Sequence, residues 1–297
     1  MYIAEFSALA AALCWSFGGL LATHPARALG AVTFNRLRMI LVFFMLAVMG
    51  LVTGGWWTLT LPRSAVLMVS AMIGIFIGDT CFYASLRRLG PRRTGILFAT
   101  NAPMTVIMGY FILGERLPAG TTLGCVLIMV GVLLAVFFGT TTAQRHHFEE
   151  VRGPLVVGVG LGVFAALCQA TSVIIVRPVL ASGVDAVAAS ALRVGTAAVA
   201  LSGTLLLQTG AVRPQVELTG RLLGQVALSG LVGMALGMTF LLYALAHGPA
   251  GLVSTLSATS PILILPVLWV ATRERPAAGA WFGALLAVIG VAFIFNS

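Results

Sequence analysis

The chain has 297 residues, of which 60% are hydrophobic and only 8% charged, and its mean hydropathy of +1.07 excludes a soluble globular domain. Its 17 basic residues against 8 acidic ones are all arginine. Most stand at the ends of apolar segments and no basic run is interleaved with aromatics, so the charge speaks for membrane topology and against a nucleic-acid partner. Cys14, Cys81, Cys125 and Cys168 are scattered singly with no CxxC spacing, the pattern of small buried thiols, and no metal site or cofactor is expected from them.

A helix needs about 20 mostly apolar residues to cross a bilayer. Cutting the chain at its Arg, Pro and polar clusters predicts ten such spans: 3–23, 31–53, 64–86, 94–113, 119–139, 153–176, 185–208, 221–246, 250–271 and 277–296. The first carries Glu5 and no basic stretch ahead of its apolar run, so it is expected to remain as a membrane helix and not to be removed as a signal peptide. It also carries Trp15, within "AALCW". Span 2 opens on Arg36 and Arg38, and "GGWWTLTLPR" at 54–63 then supplies Trp56 and Trp57 for an interfacial belt. Span 3 holds Asp79, the one acid deep within a predicted span, and Tyr83. Span 4 places Asn101 and Pro103 in the middle of "LFATNAPMT". Span 5 carries Gly124 and Gly131, seven residues apart, a spacing that permits close helix contact.

The stretch "GTTTAQRHHFEEVRG" at 139–153 is the most polar in the chain and reads as a linker. Its adjacent histidines and glutamates cannot easily face one ion, so no metal site is assigned there. Beyond it, Gln169 lies in "AALCQ", Arg193 in span 7, Tyr243 in span 8, Ser260 and Pro261 in "TLSATSPIL" of span 9, and Gly283 and Gly290 in span 10.

The second half repeats the first. "AALCW" matches "AALCQ", "AVTFNRLR" at 31–38 matches "AVAASALR" at 186–193, Pro103 matches Pro261, and "GERLP" at 114–118 is echoed by "RERP" at 273–276, in one order and at offsets of 154 to 160 residues. The expected domains are a five-helix repeat over 1–139, a cytoplasmic linker over 140–152, and a second five-helix repeat over 153–297. Five is odd, so the second repeat enters the membrane inverted, the usual architecture for alternating access. The fold class is an all-α polytopic membrane protein of ten transmembrane helices. Eleven arginines lie on the connections after spans 1, 3, 5, 7 and 9 and three on those after spans 2, 4, 6 and 8, which puts the arginine-rich face in the cytoplasm and both termini outside.

These features resemble the ten-helix, EamA-type transporters of the drug/metabolite transporter superfamily: two five-helix halves, Leu37–Arg38 and Leu192–Arg193 in the second helix of each, the mid-helix prolines, and the "GER" and "RER" turns before a glycine-spaced helix. The resemblance covers nearly the whole chain. It implies a bacterial inner-membrane carrier that exports amino acids, aromatic ones among them, or other small metabolites through a cavity between the halves. The second copy departs from the pattern in ending span 9 on "RER" where span 4 ends on "GER".

A carboxylate within a span is costly and by default functional, so Asp79 is expected at a gate or coupling site, with Arg38 as its ion-pair partner. Pro103 cannot donate to the carbonyl of Ala99, nor Pro261 to that of Ser257; each break is tolerable only where the freed carbonyl faces protein or a cavity. Asn101, Pro103, Ser260 and Pro261 are therefore candidate cavity residues, together with Trp15, Tyr83, Gln169 and Tyr243 at equivalent places in the two halves. Without HExxH, a second intramembrane Asp, or GxSxG with a His partner, the chain is not expected to be an enzyme. A multidrug or other metabolite carrier, or a channel, would fit the same topology. The expected partners are a small molecule such as an amino acid and the lipid bilayer.

Overall fold

A computed structural model describes residues 2–29, 31–138, 154–203, 218–263, 265–266 and 277–296, and within them the chain is helical with no strand. The linker 140–152, the carboxyl-terminal end of span 7 beyond 203, and the "RERP" turn lie outside the described residues. The helices are α1 (Ile3–Leu29), α2 (Ala31–Val52), α3 (Leu61–Ala71), α4 (Asp79–Ala99), α5 (Asn101–Leu113), α6 (Ala119–Phe138), α7 (Leu155–Ala181), α8 (Ala186–Gly203), α9 (Gly220–Gly230), α10 (Gly237–His247), α11 (Ala250–Ser257) and α12 (Ala278–Phe295). They make nine described spans long and apolar enough to cross a membrane and one shorter apolar helix, Ala250–Leu263. Exposed side chains such as Phe6, Phe44, Phe111 and Val288 point outward, as lipid permits and water would not.

The element ends differ from the expected spans in one informative way. Helical backbone runs without interruption from Asp79 to Ala99, through the Gly90–Pro91 connection. Nine residues of straight helix would separate Ser85 from Thr94 by about 13 Å, yet their hydroxyl oxygens are 3.3 Å apart and the rings of Phe82 and Phe98 meet at 4.8 Å. The helical run therefore folds back on itself, and spans Leu61–Leu86 and Arg93–Leu113 form an antiparallel hairpin.

The inverted repeat is visible as contacts exchanged between halves. Between α3 and α4 the chain adopts π-helical turns at Met72–Gly78, and between α9 and α10 it does so again at Leu231–Leu236. Gly74 in the first and Gly233 in the second are 159 residues apart. A methyl group placed on Gly74 would lie 2.4 Å from the Ser172 hydroxyl on α7, and one on Gly233 would lie 2.9 Å from the backbone of Gly18 on α1. Gly78 likewise faces Cys168, as Gly237 faces Cys14 and the Trp15 indole. Each π segment thus packs on the first helix of the opposite half, and glycine is needed because no side chain fits between them.

Spans 5 and 10 cross antiparallel at the glycines. A methyl on Gly124 would sit 2.6 Å from the carbonyl oxygen of Gly290, and one on Gly131 would sit 2.5 Å from that of Gly283. The seven-residue spacing, two helical turns, holds both crossings on one face of each helix.

Candidate functional site

The second helices of the two halves deliver their arginines to one place. Arg38 enters seven residues from the start of α2 and Arg193 seven from the start of α8, about 10 Å of helix in each case. In an inverted repeat those starts lie on opposite faces of the membrane, so each arginine enters the span from its own side. Asp79, at the junction of the first π segment with α4, feels the charges of both. The position equivalent to Asp79 in the second half, 159 residues on, is Met238, so a single carboxylate serves two guanidinium groups.

The surroundings of each arginine follow from the fold. Arg193 is 2% exposed; its Nη2 donates to the Ser172 hydroxyl at 2.9 Å, which donates in turn to the carbonyl of Ser70 at 2.8 Å. That chain exists because Gly74 leaves room for Ser172. Arg38 donates to Asn35 Oδ1 at 2.9 Å, lies over the Phe34 ring, and its stem passes Gly230 on α9. Tyr83 neighbours both Arg38 and Asp79 and keeps 37% of its surface accessible. The expected Asp79–Arg38 ion pair is not closed: among the described residues the ion pair within 4.0 Å is Arg177–Glu115. The two arginines pull on Asp79 from different helices, and neither has captured it.

In both halves the regular helix stops four residues before the proline: α4 ends at Ala99 ahead of Pro103, and α11 ends at Ser257 ahead of Pro261. Side chains repair the exposed carbonyls. The Ser260 hydroxyl donates to the carbonyl of Ser257 at 3.0 Å, the one that Pro261 leaves without a donor. Asn101 Nδ2 donates to Phe98 O, Thr100 Oγ1 to Leu97 O and Thr259 Oγ1 to Leu256 O. Ser16 ties the second break to α1 by donating to the carbonyl of Ser260 at 2.7 Å. Thr100 and Pro103 from the first break and Thr255 and Ala258 from the second line one apolar cavity of about 30 Å³, closed by Ile128 and Val132 of α6. That volume holds a water, not a metabolite. Ser260→Ala is expected to lower stability by about 1 kcal/mol, read as an earlier midpoint in SDS unfolding, with Ser260→Thr restoring it.

The remaining candidates flank these two groups. Trp15 packs over Gly237 on α10 and Gln169 stands beside Gly74 at the first π segment. Tyr243 is 42% exposed, its ring against His247 at 4.4 Å. Among the described residues no hydrogen bond or ion pair joins the Arg38–Asp79–Arg193 group to Asn101 or Ser260.

Sequence reasoning missed two features. Arg193 was legible only as the counterpart of Arg38; its chain to Ser172 and Ser70 depends on contacts between halves. Glu115 was read as part of a turn, yet it closes the arginine-poor face. Gly114, with φ of +67°, turns the chain after α5, and Glu115 then accepts from the backbone N–H groups of Ala250 and Gly251 at 2.9 and 3.4 Å, at the start of α11. Arg177 lies 3.8 Å from the same carboxylate and donates to the Gly248 carbonyl at 2.8 Å. Proline at 249 ahead of an apolar run was the available sign of a helix start that an acid could cap. Glu115→Gln is expected to cost about 1–2 kcal/mol, since the pair is only 15–21% exposed and the carboxylate also caps a helix; SDS unfolding of the variant measures it.

Comparison with known proteins agrees with this architecture. The EamA-like transporter family matches residues 2–137 and again 156–296. An uncharacterised transporter of Archaeoglobus fulgidus is 28% identical over 129 residues, 42% of this chain and 45% of that protein; the chain thus matches less than half the length of this curated relative. A crystal structure of another protein has the same fold, with a TM-score of 0.79 at 20% identity over 98% of this chain and 95% of that one.

Proposed function

The chain belongs to the EamA-like transporter family of the drug/metabolite transporter superfamily, and from that premise we propose that it is a secondary carrier that exports amino acids, aromatic or other hydrophobic ones first, or closely related metabolites. Transport proceeds by alternating access between the repeats 1–139 and 153–297. The arginine-rich face lies in the cytoplasm of a bacterial cell and both termini lie on the periplasmic side of the inner membrane.

The observation that carries this reading is the exchange of packing between the halves, each π segment lying on the first helix of the other half, with Arg38 and Arg193 at the same place in the second helix of each and Asp79 within reach of both charges. Two halves related by inversion set equivalent cations on either side of one carboxylate. Such a site presents the same chemistry to either side as one half rocks against the other, the arrangement alternating access needs. Tyr83, Tyr243 and Trp15 supply aromatic surface for a hydrophobic side chain.

The test is flux of a radiolabelled amino-acid panel into liposomes holding the purified protein, with and without a pH gradient. Saturable uptake of phenylalanine-like solutes, accelerated by unlabelled amino acid on the far side, is the expected result. Flux that does not saturate and shows no such acceleration would make the protein a channel. No amino-acid flux above that of empty liposomes would remove the amino-acid assignment.

A further inference from the structure

We infer that Arg38 and Arg193 together bind a carboxylate, that of the transported solute, and that Asp79 stands in for it as their counter-charge while the site is unfilled. The choice of ligand rests on the carrier reading above; the existence of an anion site rests on the arginines alone.

Three donors carry the inference. Arg193 Nε, Arg193 Nη1 and Arg38 Nε are buried and have no hydrogen-bond partner among the described residues. Buried polar groups without a partner are rare and costly, and for a charged group the cost is larger. Arg193 is held in place through Nη2 by Ser172, itself fixed on the Ser70 carbonyl, so its remaining nitrogens are presented in a set direction. Arg38 is likewise anchored through Nη2 on Asn35, which sets the direction of its Nε.

Charge gives the second argument. Among the described residues, two guanidinium groups and one carboxylate leave the cluster with one uncompensated positive charge inside a membrane span, and Asp79 forms no ion pair within 4.0 Å with either arginine. One monoanion would neutralise the group. The planar fork of a guanidinium matches a carboxylate, which it can hold by two parallel N–H···O bonds. A solute with both carboxylate and ammonium also meets Asp79, whose oxygens are free to accept once the arginines have turned to the solute.

Tyr83, beside Arg38 and Asp79, gives the solute's side chain an aromatic wall. Amines lacking a carboxylate have only Asp79 to bind and must sit beside two cations.

The experiment is binding to the full-length protein in detergent, by calorimetry, of phenylalanine, of 3-phenylpropionate, which keeps the carboxylate and lacks the ammonium, of phenethylamine, which keeps only the ammonium, and of inorganic phosphate. Phenylalanine and 3-phenylpropionate are expected to bind saturably and to compete, phenethylamine at least about tenfold more weakly. Arg193→Lys, and separately Arg38→Lys, keep the charge but lose the fork and should weaken both carboxylates about tenfold; Asp79→Asn should tighten 3-phenylpropionate. Phenethylamine binding as well as phenylalanine overturns the inference, and so does unchanged carboxylate affinity in both Lys variants or tighter binding of phosphate than of either carboxylate. The ligand series needs no variant, so a misfolded Arg193→Lys does not shield it. Carboxylate binding without amino-acid flux would sink the proposed substrate and keep the site; amino-acid flux matched by phenethylamine competition would do the reverse.

Discussion

Gly131→Leu is expected to abolish folded protein in the membrane, and Gly131→Ala to cost about 1–3 kcal/mol. The reason is what a side chain would meet. A methyl group on Gly131 would lie 2.5 Å from the Gly283 carbonyl oxygen and 2.8 Å from the Ala287 amide nitrogen. Both are backbone atoms, which cannot swing aside as a side-chain tip could. Relief requires α6 and α12 to separate by about 1 Å, and because the four glycines at 124, 131, 283 and 290 form one seam, the loss spreads along the whole crossing. Lipid tails offer no hydrophobic drive to hold the helices together, so close packing is the main attraction that is lost. Gly160→Ala is the control: nothing lies within 4 Å of a methyl there, and a better helix former should leave stability unchanged or raise it by up to about 1 kcal/mol. SDS unfolding and the monodisperse fraction on gel filtration measure both. Equal midpoints for Gly131→Ala and Gly160→Ala would show that the seam does not limit stability.

Much of this was written in the chain. Hydropathy and arginine placement reveal the spans because a bilayer leaves the backbone little choice but helix, and the duplication was legible because both copies kept their punctuation: Arg38 with Arg193, Pro103 with Pro261, the glycine pairs. The position of each helix break was legible too, since proline dictates which carbonyl loses its donor. What repairs that break was less so. Ser260 could as well have pointed into a cavity, and only the fold shows its hydroxyl on the Ser257 carbonyl. The π segments left no mark beyond glycines, because the extra residue per turn is stabilised by contact with α7 and α1 and not by local propensity. Arg193 illustrates the general limit. The bond that fixes its partner Ser172 on the Ser70 carbonyl and the charge of Asp79 that acts on it come from the other half, and a one-dimensional pattern reports such relations only where symmetry repeats them. Glu115 had no counterpart within reach: its equivalent, Glu274, lies outside the described residues, so its role as a clasp had to be seen.

Asp79→Asn is expected to slow transport at least about tenfold while leaving the protein folded. Asn keeps the shape and accepts hydrogen bonds but removes the only negative charge in the cluster. Two effects follow, in opposite directions for binding and for turnover. One unit charge removed within several ångströms of the arginines is worth on the order of 1–2 kcal/mol at an effective dielectric constant of about 20, so an incoming carboxylate is held more tightly. The unfilled site then carries two uncompensated cations in the membrane, and the empty carrier must carry them through the rocking step by which it returns. A costly return is slow turnover: the maximal rate should fall, while KM falls for a solute with a carboxylate alone and changes less for an amino acid, whose ammonium loses Asp79 as its partner. Exchange, in which solute is bound during both crossings, should be spared relative to net efflux. Asp79→Glu, which restores the charge one methylene further out, should recover part of the rate. The measurement is net efflux against exchange in the same liposomes, across pH. Net efflux at the original rate, with unchanged pH dependence, would mean that Asp79 is a fixed structural charge and takes no part in gating or coupling.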